Sequence, residues 1–80
     1  MEKLTLKQLL EIGKTAPQNG KFGLNECKEE IKFFLEMCKR QGKERNLYEL
    51  LGIYVERANT DTFFNATMVY ACWELINENY

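Results

Sequence analysis

This chain predicts an all-α domain of four helices, with the C-terminal helix central. Apolar residues recur at three- and four-residue spacing in four separate stretches, and each stretch opens near a side chain able to cap a helix. The last stretch, residues 63–75 (FFNATMVYACWEL), is apolar over about two thirds of its girth when placed at 100° per residue. A helix of that kind is normally the buried one, with amphipathic neighbours around it. Eighty residues make a single domain, 1–80, because a second core would not fit.

The first helix is read over 5–13. Thr5 can cap it, Gln8 can reach back to complete a capping box, and Leu4 and Leu9 occupy the positions of a hydrophobic staple. Leu6, Leu9 and Leu10 form its stripe, and Gly13 is read as a stop just past the end. Residues 13–23 (GKTAPQNGKFG) hold three glycines and the only proline. They read as a loop with a tight turn near Pro17 to Gly20, Phe22 being expected to tuck beneath it.

The second helix, 25–41, places Cys27, Ile31, Phe34, Leu35 and Cys38 on one face, with Asn25 as cap and Gly42 beyond its end. Phe33 and Met37, one turn apart, lie outside that stripe. The third helix, 46–58, is capped by Asn46 with Glu49 completing a capping box. Its core stripe is Leu47, Leu50, Leu51, Tyr54, Val55 and Ala58, and Ile53 points away. The fourth, 61–78, takes its cap from Asn59-Thr60-Asp61. One of its faces is Phe64, Met68, Ala71, Cys72 and Leu75; a second is Ala66, Val69, Trp73 and Ile76; Phe63 and Tyr70 interrupt the narrow polar strip.

Composition narrows the function classes. With 45% hydrophobic and 29% charged residues the chain is a folded domain, and its formal net charge of −1 favours neither nucleic acid nor membrane. The charge is nonetheless uneven: residues 1–45 hold ten Lys or Arg against seven Asp or Glu, and residues 46–80 hold one against five. No run of about 18 apolar residues exists, and the start, Met1 to Lys7, has no apolar stretch of a secretory leader, so a cytoplasmic location is expected. Three cysteines agree with that. Cys27 and Cys38 are eleven residues apart on one helix, roughly 16 Å, beyond disulfide reach, and free thiols are expected.

Catalytic and ligand-binding signatures are weak. Gly13-Lys14-Thr15 resembles the tail of a phosphate loop, but Gln8 stands where the first glycine is needed and Pro17 follows. No histidine and no close cysteine pair exist to hold zinc, so no metal or cofactor is expected. Without histidine or serine the usual general base and nucleophile are missing, and no enzyme activity is expected. Asn65-Ala66-Thr67 matches a glycosylation pattern inside a helix, where chance explains it.

Two surfaces remain. Phe33, Met37, Ile53, Phe63, Tyr70 and Trp73 are apolar residues outside the core stripes, or on the spare side of the last helix; converged, they would form a patch that only a protein partner, or a second copy of the chain, would cover. The expected function is therefore a small protein–protein interaction module. By analogy of size and composition it matches the inhibitors of host proteins carried by phages and mobile elements. The alternative is a nucleic-acid-binding regulator in which Lys32, Lys39, Arg40, Lys43 and Arg45 contact phosphates. Interleaved Glu29, Glu36 and Glu44 favour a self-paired, solvated face instead.

Overall fold

The computed structural model describes residues 3–80; Met1 and Glu2, part of the start read above for a leader, lie outside the described residues. Four helices follow one another: α1 (Leu6–Gly13), α2 (Leu24–Arg40), α3 (Leu47–Arg57) and α4 (Thr62–Asn77), with no strand among the described residues. No helix is long and apolar enough to cross a membrane among the described residues.

α4 is the hub. It packs against α1, α2 and α3, which scarcely touch one another. Of the two apolar faces read from the sequence the first holds together, while the second divides: Ala66 and Val69 turn to α1, Ile76 joins the first face's cluster and Trp73 stays partly exposed. Met68, Ala71, Cys72 and Leu75 meet Leu24, Cys27 and Ile31 of α2 and Leu47 and Leu50 of α3. Ala66 and Val69 meet Leu9 of α1 and Ala58. Leu51 and Tyr54 of α3 touch both clusters and join them. Full burial of one side chain such as Leu9 or Leu75 is worth about 1.5–3 kcal/mol, so removing one layer of this hub would exhaust much of the few kcal/mol expected of so short a chain.

Gly13 corrects its expected role. It is the last residue of α1, buried, and lies against α4; a Cβ there would collide with the Ala66 carbonyl oxygen and come within 2.7 Å of Tyr70 Cβ. The glycine serves close helix packing, not a left-handed stop. Tyr70, expected outside, leans instead on this crossing and on the core.

The helix ends follow local chemistry. Thr5 and Gln8 form the reciprocal box, the Gln8 amide donating to Thr5 Oγ1 at 3.2 Å and the Thr5 amide to Gln8 Oε1 at 2.8 Å. Asn46 accepts from the Glu49 amide at 2.9 Å, but Glu49 takes the Asn46 side-chain amide at 3.1 Å in place of its backbone N–H. Asp61 accepts from the Phe64 amide at 3.4 Å. Asn25 is not the cap of α2. The loop folds back so that the Pro17 and Gln18 carbonyls accept from the Leu24 and Asn25 amides at 2.8 and 2.9 Å, and the Asn25 side chain donates to Asn19 Oδ1 at 2.9 Å. Gly23 permits this fold, since a Cβ there would lie 2.7 Å from the Asn19 backbone.

Both long helices close on a left-handed residue. Gly42 (φ 74°) lets Lys43 donate to the Cys38 carbonyl at 2.9 Å, and Asn79 (φ 61°) lets Tyr80 donate to the Leu75 carbonyl at 3.0 Å, the paired bonds of a Schellman end. The buried amide of Asn65 donates to the Asp61 carbonyl at 2.8 Å and the Arg57 carbonyl at 3.4 Å, which ties the start of α4 to the end of α3 and explains a polar residue at this depth. Lys28 pairs with Glu78, and lies 3.8 Å from Glu74, linking α2 to the end of α4.

Two glycines therefore have opposite expected responses to alanine. Gly13→Ala should lose about 1–3 kcal/mol by overpacking the α1–α4 crossing. Gly52→Ala, on the exposed side of α3 with open space around its Cβ position, should gain about 0.5–1 kcal/mol from helix propensity. Urea unfolding of the two variants checks both signs.

Candidate interaction surface

Because α2 and α3 both pack on α4 and barely on each other, the seam between them stays open. Its floor is Tyr54 and Met68, its walls are Phe33 and Phe34 of α2, and Glu26, Glu29 and Glu30 stand along it, a cleft of about 440 Å³. Beyond the start of α2 lies a larger cleft of about 640 Å³, formed where the 15–22 loop meets the first turns of α4. Phe22, Phe63, Phe64 and Pro17 line it, and Lys21 and Asp61 are its charged members. A saddle connects the two, because Lys21, Phe22 and Phe64 from the larger cleft and Glu26 and Glu30 from the seam line the same small depression, together with Cys27. The result is one aromatic groove running along the α2 side of the molecule.

Phe22 is held in an unusual way. Its φ is 66°, in the left-handed region that costs a non-glycine residue roughly 1–2 kcal/mol, and its ring remains 58% exposed. The ring stands edge-on to Phe64 with centroids 5.8 Å apart, a contact worth about 0.5–1.5 kcal/mol. Strain and contact therefore cancel to within about 1 kcal/mol, so stability gives no reason for the arrangement. Phe63 across the cleft is 75% exposed and Phe33 at the far end 68% exposed.

The sequence-predicted patch is only partly assembled. Phe33 and Phe63 lie in the groove, at its two ends. Ile53 and Tyr70 pack against the core, because α3 and α1 approach α4 closely at those positions. Met37 is half-buried farther along α2, and Trp73, 37% exposed, lines neither groove cleft. Three groove residues were assigned elsewhere. Phe34 was placed in the α2 core stripe, but that stripe is Leu24, Cys27, Ile31 and Leu35, and Phe34 faces the open seam. Phe64 packs on the core and also lines the groove, and Phe22 stands up from the loop instead of tucking beneath it. The presence of glycines near Phe22 was the one sequence signal that this backbone could turn left-handed.

The groove carries a negative field. Glu26 and Glu30 make no ion pair among the described residues, and Glu29 is paired only with Lys32, at 3.6 Å across an exposed gap. Neighbouring groups register the charge. Burial pushes the Cys27 thiol up to about 11, with Glu30 and Glu26 adding to the shift. Burial likewise raises the Tyr54 hydroxyl, and Glu30 is among the charges that reinforce it.

The basic residues gather elsewhere. Lys39 and Arg45 share a cleft of about 490 Å³ with Tyr48 and Tyr80 at the C-terminal end of α2. Arg40 and Lys43 are exposed beside them, and Lys32 stands 5.4 Å from the centre of the Tyr80 ring. The expected pairing within the basic face holds only for Lys32, with Glu29. Lys39, Arg40, Lys43 and Arg45 make no ion pair among the described residues.

No protein-family model, no curated protein and no solved structure matches the chain.

Two core thiols make stability depend on alkali. Burial raises Cys72 to about 12 and Cys27 to about 11 from an ordinary 9.0, so both are protonated at neutral pH and are poor nucleophiles there. A raised value means the stabilisation is complete below pH 9.0 and is lost as pH climbs through 11 to 12. Chemical unfolding at successive pH values should show stability falling above pH 9, by at most about 1.4 kcal/mol per unit for each thiol. Cys72→Ala should lower the neutral-pH value and make that decline shallower.

Proposed function

We propose that this chain is a small cytoplasmic binding module, acting by occupancy and not by catalysis, that docks the groove between Phe63 and Phe33 onto another protein. The observation that carries the reading is Phe22. A bulky ring held at φ 66° and left more than half exposed is a strained feature that folding does not require, and such features concentrate at functional positions. An apolar groove with exposed aromatic walls and a charged rim is also the composition that interfaces favour. Inhibition of a host protein by a phage or mobile element is one role such a module fits.

Panning a random peptide library on the folded chain tests the reading. Wild type should select peptides with large apolar anchors, and Phe63→Asp should weaken them at least tenfold while leaving the helical circular dichroism unchanged. Phe22→Asn, which suits a left-handed backbone, should weaken them too with stability shifted by less than about 1 kcal/mol. A library that yields nothing, or peptides that bind both variants as well as wild type, would overturn it.

A second reading has one observation in its favour: Lys39 and Arg45, beside Glu44, share a cleft with Tyr48 and Tyr80 and so combine cations with exposed aromatic rings, as single-strand binders do. It predicts binding of a single-stranded oligonucleotide at about 50 mM salt that is abolished by Lys39→Glu with Arg45→Glu and that falls steeply as salt rises. Absence of a shift at that salt removes it.

A further inference from the structure

We infer that the groove's occupant is a basic amphipathic helix: a segment of a partner protein whose apolar stripe fills the aromatic clefts while its Lys or Arg residues meet Glu26 and Glu30. The inference rests on the docking reading above and adds the chemistry of the partner. Its first support is shape. Two apolar clefts, one around Phe22, Phe63 and Phe64 and one around Phe33 and Phe34, are joined by a saddle. Glu26 lines both the saddle and the seam cleft, and from it to Phe33, farther along the seam, is seven residues of α2, about 10 Å. A helix laid along the seam would contact that length with side chains about two turns apart, the i and i+7 spacing of helix-in-groove recognition, and continued over the saddle it would meet the second cleft.

Charge is the second support. Glu26, Glu29 and Glu30 line one side of the seam cleft, and no basic residue lines it. In the neighbouring cleft Asp61 offsets Lys21, whose ammonium lies 5.4 Å from the centre of the Phe22 ring. Lys32 partly compensates Glu29, and Lys21 lines the saddle with Glu26 and Glu30 without an ion pair to either, so the saddle sets two carboxylates against one ammonium and the seam cleft adds no cation. These carboxylates beside an apolar floor raise the encounter rate of a cationic segment and reject an anionic one, so they set which partner is accepted more than how tightly it is held. A second copy of this chain fits less well: its exposed cations sit at the end of α2 and on the following link, accompanied at helical spacing only by half-buried Met37 and by Phe33, which is itself a wall of the groove.

The probe is a peptide of about 14 residues, four turns, with a Leu and Phe stripe and an otherwise all-Lys face, paired with a twin in which every Lys is Glu. Binding to the whole folded chain is read by titration calorimetry and by amide chemical shifts. The Lys peptide should bind at least tenfold more tightly than the Glu twin, shift the amides of residues 22–34 and 61–68, and weaken as salt increases. Glu26→Lys with Glu30→Lys should abolish or reverse the preference. Glu11→Lys with Glu36→Lys, an equal charge change at exposed positions outside the groove, should leave it intact.

Equal binding of both peptides, with loss on Phe63→Asp, would overturn the basic partner and leave the docking groove standing. Loss of preference in the Glu11 and Glu36 variant as well would reduce the effect to net charge and overturn it too. Binding of neither peptide overturns the inference, and the library experiment then decides separately whether the groove docks anything. A sedimentation mass that doubles with concentration, and that Phe63→Asp returns to the monomer, would assign the groove to a second copy and overturn a foreign basic helix.

Discussion

The whole structure depends on α4 being apolar on nearly every side. Half of its residues are buried, among them Ala66, Met68, Val69, Ala71, Cys72 and Leu75. A helix with one apolar stripe needs one neighbour; this one needs three. Small side chains make the arrangement possible. Ala66 together with Gly13 lets the α1 backbone come down against α4, a contact that no larger pair would allow. Polar groups inside the hub have local partners: Asn65 bonds back to the Asp61 and Arg57 carbonyls, and Thr67 to the Phe63 carbonyl at 3.1 Å. Nothing in the hub therefore offsets the apolar burial with an unpaired buried side chain among the described residues.

A central rod with three surrounding helices leaves seams, and the groove follows from that geometry. Where α2 and α3 fail to meet, Tyr54 and Met68 become a floor, and the aromatic residues of α2 above it have nothing to pack on. At the other end the loop stands a single ring against Phe64 at a cost in backbone strain. Glu26, in the first turn of α2, suits the positive end of its own helix, and with Glu29 and Glu30 it also gives the groove its sign.

Much of the fold was legible in the sequence because its signals are local. Thr5, Asn46 and Asp61 cap the helices that follow them, and Gly42 lies beyond the end of α2, as read, in the left-handed conformation. The two faces of α4 could be read from 100° spacing, and one of them reappears almost entire in the α2–α3 cluster. What escaped depends on contacts between elements. Gly13 looks like a helix stop until α4 is seen against it. Asn25 looks like a cap until the loop's own carbonyls take its place. Phe34 and Leu35 are neighbours that a periodic stripe admits equally, and only the absence of a helix over the seam sends Phe34 outward. For the same reason Ile53 and Tyr70 could be placed outside from the sequence and yet pack inward, and Phe22, read as tucked beneath the loop, stands out from it on a left-handed backbone.

The hub has a consequence for how the chain is made. Translation delivers α1, α2 and α3 before the helix that all of them pack against, and they bury little surface among themselves. Residues 6–57 therefore leave the ribosome with no core to join, their leucines and phenylalanines open to holdase chaperones and proteases, and collapse into the native form waits until α4 has emerged.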